Sequence, residues 1–216
     1  MIDKKIADAG LSRKERERLF KRLEIINSAV LLFAEKGYEN STLDEIAEKA
    51  EFGKGTIYKY FDNKEEIYSA IIENILSDYY NDLRSINSRT GTFKEFISEM
   101  TRMLFRFAAE NESEFSVFVR VYGNVFDSYW QNKTDEIKNL VSRIEDLFKT
   151  RIRQGLQNKE VKELDPQRFI HLYRFLSLSH IYNLYSSSEE DVNIEKESVF
   201  ILNVLLQGIL ENNFWG

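Results

Sequence analysis

A single proline, Pro166, and nine glycines are the only strong helix breakers in 216 residues. The long stretches between them favour helices over a turn-rich β fold. Periodicity says the same. From Leu19 to Lys36 apolar residues recur at helical spacing, and Ile26, Ala29, Val30 and Phe33 share one face. Gly37 follows as a stop signal, with Lys36 in the last turn. Thr42 opens a capping box with Glu45, and Leu43, Ile46, Ala47 and Ala50 fall at i, i+3, i+4 and i+7. This second helix is short, about two turns.

Residues 51–66, EFGKGTIYKYFDNKEE, suit neither a core helix nor a plain loop. Gly53 can end the turn and cap a third short helix from Lys54 to about Phe61, with Ile57 and Phe61 facing inward. Asp62 or Asn63 then caps a fourth helix, which Ile67, Ile71, Ile75 and Tyr79 carry to about Leu83. Two short helices joined by a tight turn make a helix-turn-helix. In that motif the second helix enters the DNA major groove. Gly55 lets the backbone approach DNA, Lys54 suits guanine acceptors, and Thr56 suits a thymine methyl or a phosphate. Tyr58, Lys59 and Tyr60 offer hydroxyls and an ammonium to phosphates. Lys64 opens the fourth helix, where unpaired N–H groups favour an anion. The same pattern also fits a small helical hairpin with a polar face.

The net charge of −6 argues against a protein that coats nucleic acid over its whole surface. The charge is uneven, however. Residues 4–22 hold eight cations against three acids, a net of +5. That segment reads either as a solvated helical arm or as a phosphate-seeking one.

The residues Leu32-Phe33, Gly37-Tyr38, Thr42, Ile46-Ala47, Ala50, Lys54-Gly55-Thr56-Ile57-Tyr58, Tyr60-Phe61 and Lys64-Glu65 resemble the N-terminal pattern of the TetR family of transcriptional regulators. The resemblance spans residues 25–67, about a fifth of the chain. It implies DNA contacts from Thr42, Lys54, Gly55, Thr56, Tyr58, Lys59, Tyr60 and Lys64, with Lys54 and Thr56 reading bases and Thr42, Tyr58, Tyr60 and Lys64 mostly positioning phosphates. Glu51 departs from the family's usual glycine, at a position where a left-handed backbone is common after a helix end. Gly53 replaces the usual serine cap, and Asp44 puts an acid where some relatives contact DNA.

Ser85 to Thr92 reads as a polar linker. Beyond it, helices are expected near Phe93–Glu110, Glu112–Gly123, Asp127–Gln157, Pro166–Ser186 and Ile194–Asn213, with Pro166 in a first turn. SSSEEDVN reads as a surface loop. Phe96, Met100, Met103, Leu104 and Phe107 stripe one helix; Phe118 and Tyr122 lie on the next, followed by Phe126 and Trp130, and then Tyr173. Such stripes are ordinary core by spacing. The resemblance implies a small-molecule pocket among them, with Arg102, Arg106, Arg120, Ser177 and His180 as its polar groups. A hydrophobic or planar ligand fits, as does an acyl thioester or an acid. The resemblance also implies that the last two helices pair with their copies in a homodimer, through Tyr182, Tyr185, Leu202, Leu205, Leu206 and Ile209. A fully buried core helix is the alternative.

The expected whole is all-α, with about nine helices. A basic arm (1–18) precedes a three-helix helix-turn-helix DNA-binding domain (19–66) and a larger helical ligand-binding and dimerisation domain (67–216). It implies a sequence-specific regulator, a repressor released from a palindromic operator of double-stranded DNA by a small hydrophobic or aromatic inducer. An enzyme is not expected. His171 and His180 lack the Glu-x-x-His spacing of di-iron bundles, and no phosphate loop, nucleophile elbow or zinc spacing is present. No cofactor and no metal are expected. A helical interaction module that has lost DNA binding, with Glu51 and Asp44 as its mark, is the third reading. With no cysteine, no signal peptide in view and no run of about 18 apolar residues, a cytoplasmic protein with no membrane partner is expected.

Overall fold

The computed structural model describes residues 12–123, 134–186 and 192–206. Among these residues the structure is nine α-helices with no strand, the all-α class expected from the scarcity of breakers. No helix among them is long and apolar enough to cross a membrane. The chain divides into two compact units, Met1–Asn74 and Ile75–Gly216.

The first unit opens with α1, Arg13–Lys36. It starts earlier than the expected Leu19 because Ser12 and Glu15 form a reciprocal capping box: the Glu15 carboxylate accepts from the Ser12 N–H at 2.9 Å. Gly37, at φ 84°, ends the helix as its sequence position suggests. Next comes α2, Leu43–Lys49, whose Thr42 cap closes the second box with Glu45. After Ala50 the chain turns left-handed at Glu51, φ 57°, and the Phe52 N–H reaches back to the Ala47 carbonyl at 2.9 Å. A side chain in that conformation costs roughly 1–2 kcal/mol, which is why glycine is common there.

Gly53 caps α3, Lys54–Ile57. This helix is shorter than the expected run to Phe61. The Lys59 and Tyr60 N–H groups bond three residues back, to Thr56 and Ile57, so the chain tightens beyond Ile57. The Asn63 side chain accepts from the Glu66 N–H at 2.9 Å and starts α4, Lys64–Arg89. Ile26, Ala29, Val30, Phe33, Ile46, Ala47, Ile57, Phe61, Ile67 and Ile71 are all buried together, the apolar faces that the periodicity marks out.

The unit boundary falls inside α4. The expected linker at Ser85–Thr92 is mostly helix, since Leu83 and Ile86 continue the buried stripe while the polar residues face water. The second unit contains α5 (Phe93–Glu110), α6 (Glu112–Gly123), α7 (Asp135–Gln157), α8 (Pro166–Ser186) and α9 (Ile194–Leu206). Thr134, at ψ 149°, caps α7, so that helix begins after the expected Asp127. Residues 127–133 and the expected end of the last helix, 207–213, lie outside the described residues. The core is aromatic. Phe96 meets Phe148 edge-on at 5.5 Å and Phe169 stacks with Tyr173 at 6.3 Å, contacts worth about 0.5–1.5 kcal/mol each beyond burial. Buried Arg151 donates to the Thr90 carbonyl and hydroxyl, both at 2.9 Å, and fixes the α4–α5 connection to α7.

Candidate nucleic-acid interface and ligand cavity

Two buried side chains hold residues 54–60 in place. Ile57 is fully buried and Phe61 nearly so, which turns the rest of residues 54–60 outward. Lys54, Gly55, Tyr58 and Lys59 are exposed, and Thr56 and Tyr60 are half-buried. Six of the eight expected DNA contacts therefore sit on one short stretch. Gly55 is the informative one. A Cβ added there would meet nothing within 4 Å, and its φ is not left-handed. The fold places no demand for glycine at this position, although glycine in a helix costs up to about 1 kcal/mol relative to alanine. Neither packing nor backbone conformation within the fold explains this glycine.

Lys54 is ion-paired with Asp44 across the two short helices. That hydrogen bond, and then the carboxylate's charge, raise Lys54 above the ordinary lysine range. Asp44 thus orients the Lys54 side chain as well as adding a negative charge.

The other two expected contacts are occupied within the protein. The Thr42 hydroxyl accepts from the Glu45 N–H at 3.2 Å and donates to its carboxylate at 3.0 Å. The Lys64 ammonium donates to the carbonyls of Tyr38 at 2.5 Å, Ser41 at 2.8 Å and Glu39 at 3.4 Å, and lies 4.3 Å from the Tyr38 ring centre. Lys64 therefore fixes the α1–α2 turn. A lysine in a helix's first turn carries no sequence signal for such a role.

The second unit holds a cavity of about 50 Å³. Leu76 and Tyr79 of α4, Leu104 of α5 and Phe118 of α6 line it, with Val141, Ile144, Glu145 and Phe148 of α7 and Ile170, Tyr173, Arg174 and Leu178 of α8. Of the expected lining, Leu104, Phe118 and Tyr173 are there. Phe96, Met100 and Ser177 are buried elsewhere in the core, and Met103 and Phe107 are half-buried away from the cavity. His180 instead bonds Glu197 at 2.9 Å, and Arg102 is paired with Glu195 at 2.9 Å. The side chain of Tyr122, and Phe126 and Trp130, lie outside the described residues. The polar wall is Arg174 and Glu145, 3.9 Å apart, with the Tyr173 hydroxyl 3.0 Å from that of Thr101. Burial pushes the Tyr173 phenol far above the ordinary tyrosine range, so it stays neutral. Sequence reasoning did not find the α7 wall, although Val141, Ile144, Glu145 and Phe148 fall at i, i+3, i+4 and i+7 and could have marked it.

On the proposed dimer helices, Leu202 and Leu206 are buried in their own chain, and Tyr182, Tyr185 and Leu205 are half-buried. Ile209 lies outside the described residues. The exposed apolar residues there are Leu172 and Phe175 on α8 and Val199, Phe200 and Val204 on α9, with Phe175 70% exposed.

A capped pair of short helices followed by a larger helical unit defines a helix-turn-helix protein of two-unit architecture. Residues 25–71 match the family model of bacterial regulatory proteins, tetR family. It is 26% identical to IcaR of Staphylococcus aureus (strain Newman), the negative transcriptional regulator of the biofilm operon icaADBC, over 85% of this chain and 98% of that protein. The fold is similar to KstR2 of Mycobacterium tuberculosis, a ketosteroid transcriptional regulator, with TM-score 0.73 and 18% identity over 94% of this chain and 99% of that one. It is also similar to FadR of Bacillus subtilis in complex with stearoyl-CoA, with TM-score 0.71 and 22% identity over 86% and 98%.

Gly55→Ala should leave the melting temperature unchanged or slightly raised while weakening DNA binding at least about tenfold, the factor that 1.4 kcal/mol represents. Thermal unfolding and fluorescence anisotropy on one preparation check both halves. Unweakened binding would remove the close-approach account of this glycine.

Proposed function

We propose that the chain is a homodimeric transcriptional repressor that reads a near-palindromic operator with Lys54 and Thr56 and releases it when an apolar ligand enlarges the α4–α8 cavity. The observation that carries the DNA half is Gly55, a helix residue with open space around it on the exposed reading segment. Repression is supported by the likeness to IcaR, and such a regulator acts in the cytoplasm, where bacterial DNA lies.

The experiment for this half is selection of random duplexes by the purified protein at two salt concentrations. A near-palindromic preferred site with steep salt dependence is expected. Lys54→Ala should lower affinity for that site by about 1–3 kcal/mol and relax preference at one base pair. No enriched sequence at low salt would favour the interaction-module reading.

For the ligand we propose a long-chain acyl thioester. The cavity wall is apolar apart from Arg174, Glu145 and tyrosine hydroxyls, and the similarly folded FadR was solved with stearoyl-CoA. The helix α4 gives Leu76 and Tyr79 to the cavity wall and Ile67 and Ile71 to the core of the first unit, so a ligand that binds the operator-free state better draws the protein off DNA. Stearoyl-CoA at about one hundred times its Kd should stabilise the protein by about 2.7 kcal/mol, visible as a rise in melting temperature, while CoA alone leaves it unmoved. No rise with any acyl chain length would sink the thioester.

The dimer surface is proposed to be the exposed apolar row of α8 and α9, Phe175, Phe200 and Val204, because an exposed apolar patch of this kind marks a partner. Phe200→Glu should elute as a folded monomer. A variant that stays dimeric places the interface elsewhere.

A further inference from the structure

The helix α1 begins well before anything it packs on. Residues 12–18 are all exposed, and Leu23 is the first buried side chain of the helix. A solvent-surrounded stub gains nothing from burial, and short helical segments are marginal in water unless extended from a packed helix. This one is both extended from α1 and closed by the Ser12–Glu15 capping box. The sequence therefore spends a cap on keeping a projecting stub rigid.

The stub is distinguished by its charge. Residues 13–22 carry six cations against two acids, a net of +4 in a protein of net −6. Both acids are engaged, Glu15 on the Ser12 N–H at 2.9 Å and Glu17 on Lys21 at 2.9 Å. Among the described residues, Arg13, Lys14, Arg16 and Arg18 form no ion pair. Its base is also located. The Arg22 guanidinium lies 4.9 Å from the centre of the Phe61 ring, the residue that anchors the reading segment. The Glu17 hydrogen bond chiefly raises Lys21 above the ordinary lysine range, with a weaker contribution from the nearby Tyr60 hydroxyl. From Lys21 back to Arg13 the helix spans about 12 Å. The cations thus start beside the DNA-facing segment and extend more than one helical turn beyond it.

We propose that the first two turns of α1 form a second DNA contact, in which Arg13, Lys14, Arg16 and Arg18 bind phosphates flanking the half-site that α3 reads. The inference rests on the DNA-binding reading above. Phosphate contacts carry no sequence information; they add affinity, salt dependence and register. A pre-formed helix presents these cations with less ordering cost than a flexible arm.

The test compares the wild type with the quadruple variant R13Q, K14Q, R16Q and R18Q on the selected operator, by anisotropy across a potassium chloride series. Each protein is measured on a duplex with long flanks and on one trimmed to the two half-sites. On the long duplex the variant's log Kd against log salt slope should be shallower by about 0.9 for each phosphate it no longer neutralises, so by at least about 1.8 for a dimer. Affinity near 0.1 M salt should fall at least tenfold. Trimming the flanks should bring the wild type down to the variant's slope and leave the variant unaffected, a result that does not depend on how the variant folds. Equal slopes for the two proteins on an operator that the wild type prefers would overturn the second contact and leave the repressor reading standing. A change in the preferred bases of the variant would also overturn the assignment to phosphates. A wild type with no preferred duplex would sink both readings.

Discussion

The Lys64 ammonium holds the DNA-facing unit in register. It sits against the Tyr38 ring and donates to the carbonyls of Tyr38, Glu39 and Ser41, the backbone between α1 and α2. A turn there leaves carbonyls that neither helix can satisfy, and a part-buried cation satisfies several at once. Tyr38 in turn contacts Phe33 at 5.5 Å and Tyr68 at 4.8 Å between ring centres, tying α1, the turn and α4 together. The start of α2, and through it the angle of α3, depends on this knot.

Around that knot, charge is placed with economy. An acidic protein that must approach phosphates can concentrate cations where they count and leave the rest of its surface repulsive, which discourages indiscriminate association. Asp44 fits this arrangement. Paired with Lys54, it holds a long flexible side chain near one geometry and so limits its rotamer freedom.

Most of the fold was legible in the sequence, because its signals are local. Gly37, the Thr42–Glu45 box, Gly53 and Pro166 mark boundaries by backbone chemistry alone, and the structure uses each of them there. Glu51 was legible too, since a helix end implies a left-handed residue whatever its side chain. Elsewhere, one signal outweighed another. Ser12 and Glu15 spell a capping box, but the apolar rhythm begins only near Leu19, so a stub without a buried face escapes a search by periodicity. Polar residues at 85–92 suggest a linker, whereas Leu83 and Ile86 continue the buried stripe. The site was legible only in part. That Lys54, Gly55, Tyr58 and Lys59 face outward follows from Ile57 and Phe61 facing inward. That Lys64 turns inward, that Leu206 belongs to the core and Phe200 to the surface, and that α7 walls the cavity all depend on which helix meets which. Helical spacing defines an apolar face without naming the neighbour that covers it.

The cavity is far smaller than its proposed occupant. About 50 Å³ has room for a few water molecules, whereas ligand sites commonly measure about 300–1,000 Å³. A hydrocarbon chain must therefore part the α4, α7 and α8 walls to enter, and must part them again to leave. For the proposed ligand, opening of the walls would limit both entry and release. With the proposed ligand such a protein would act as a slow latch: a brief pulse would leave it unchanged, whereas ligand admitted during a sustained supply would outlast that supply.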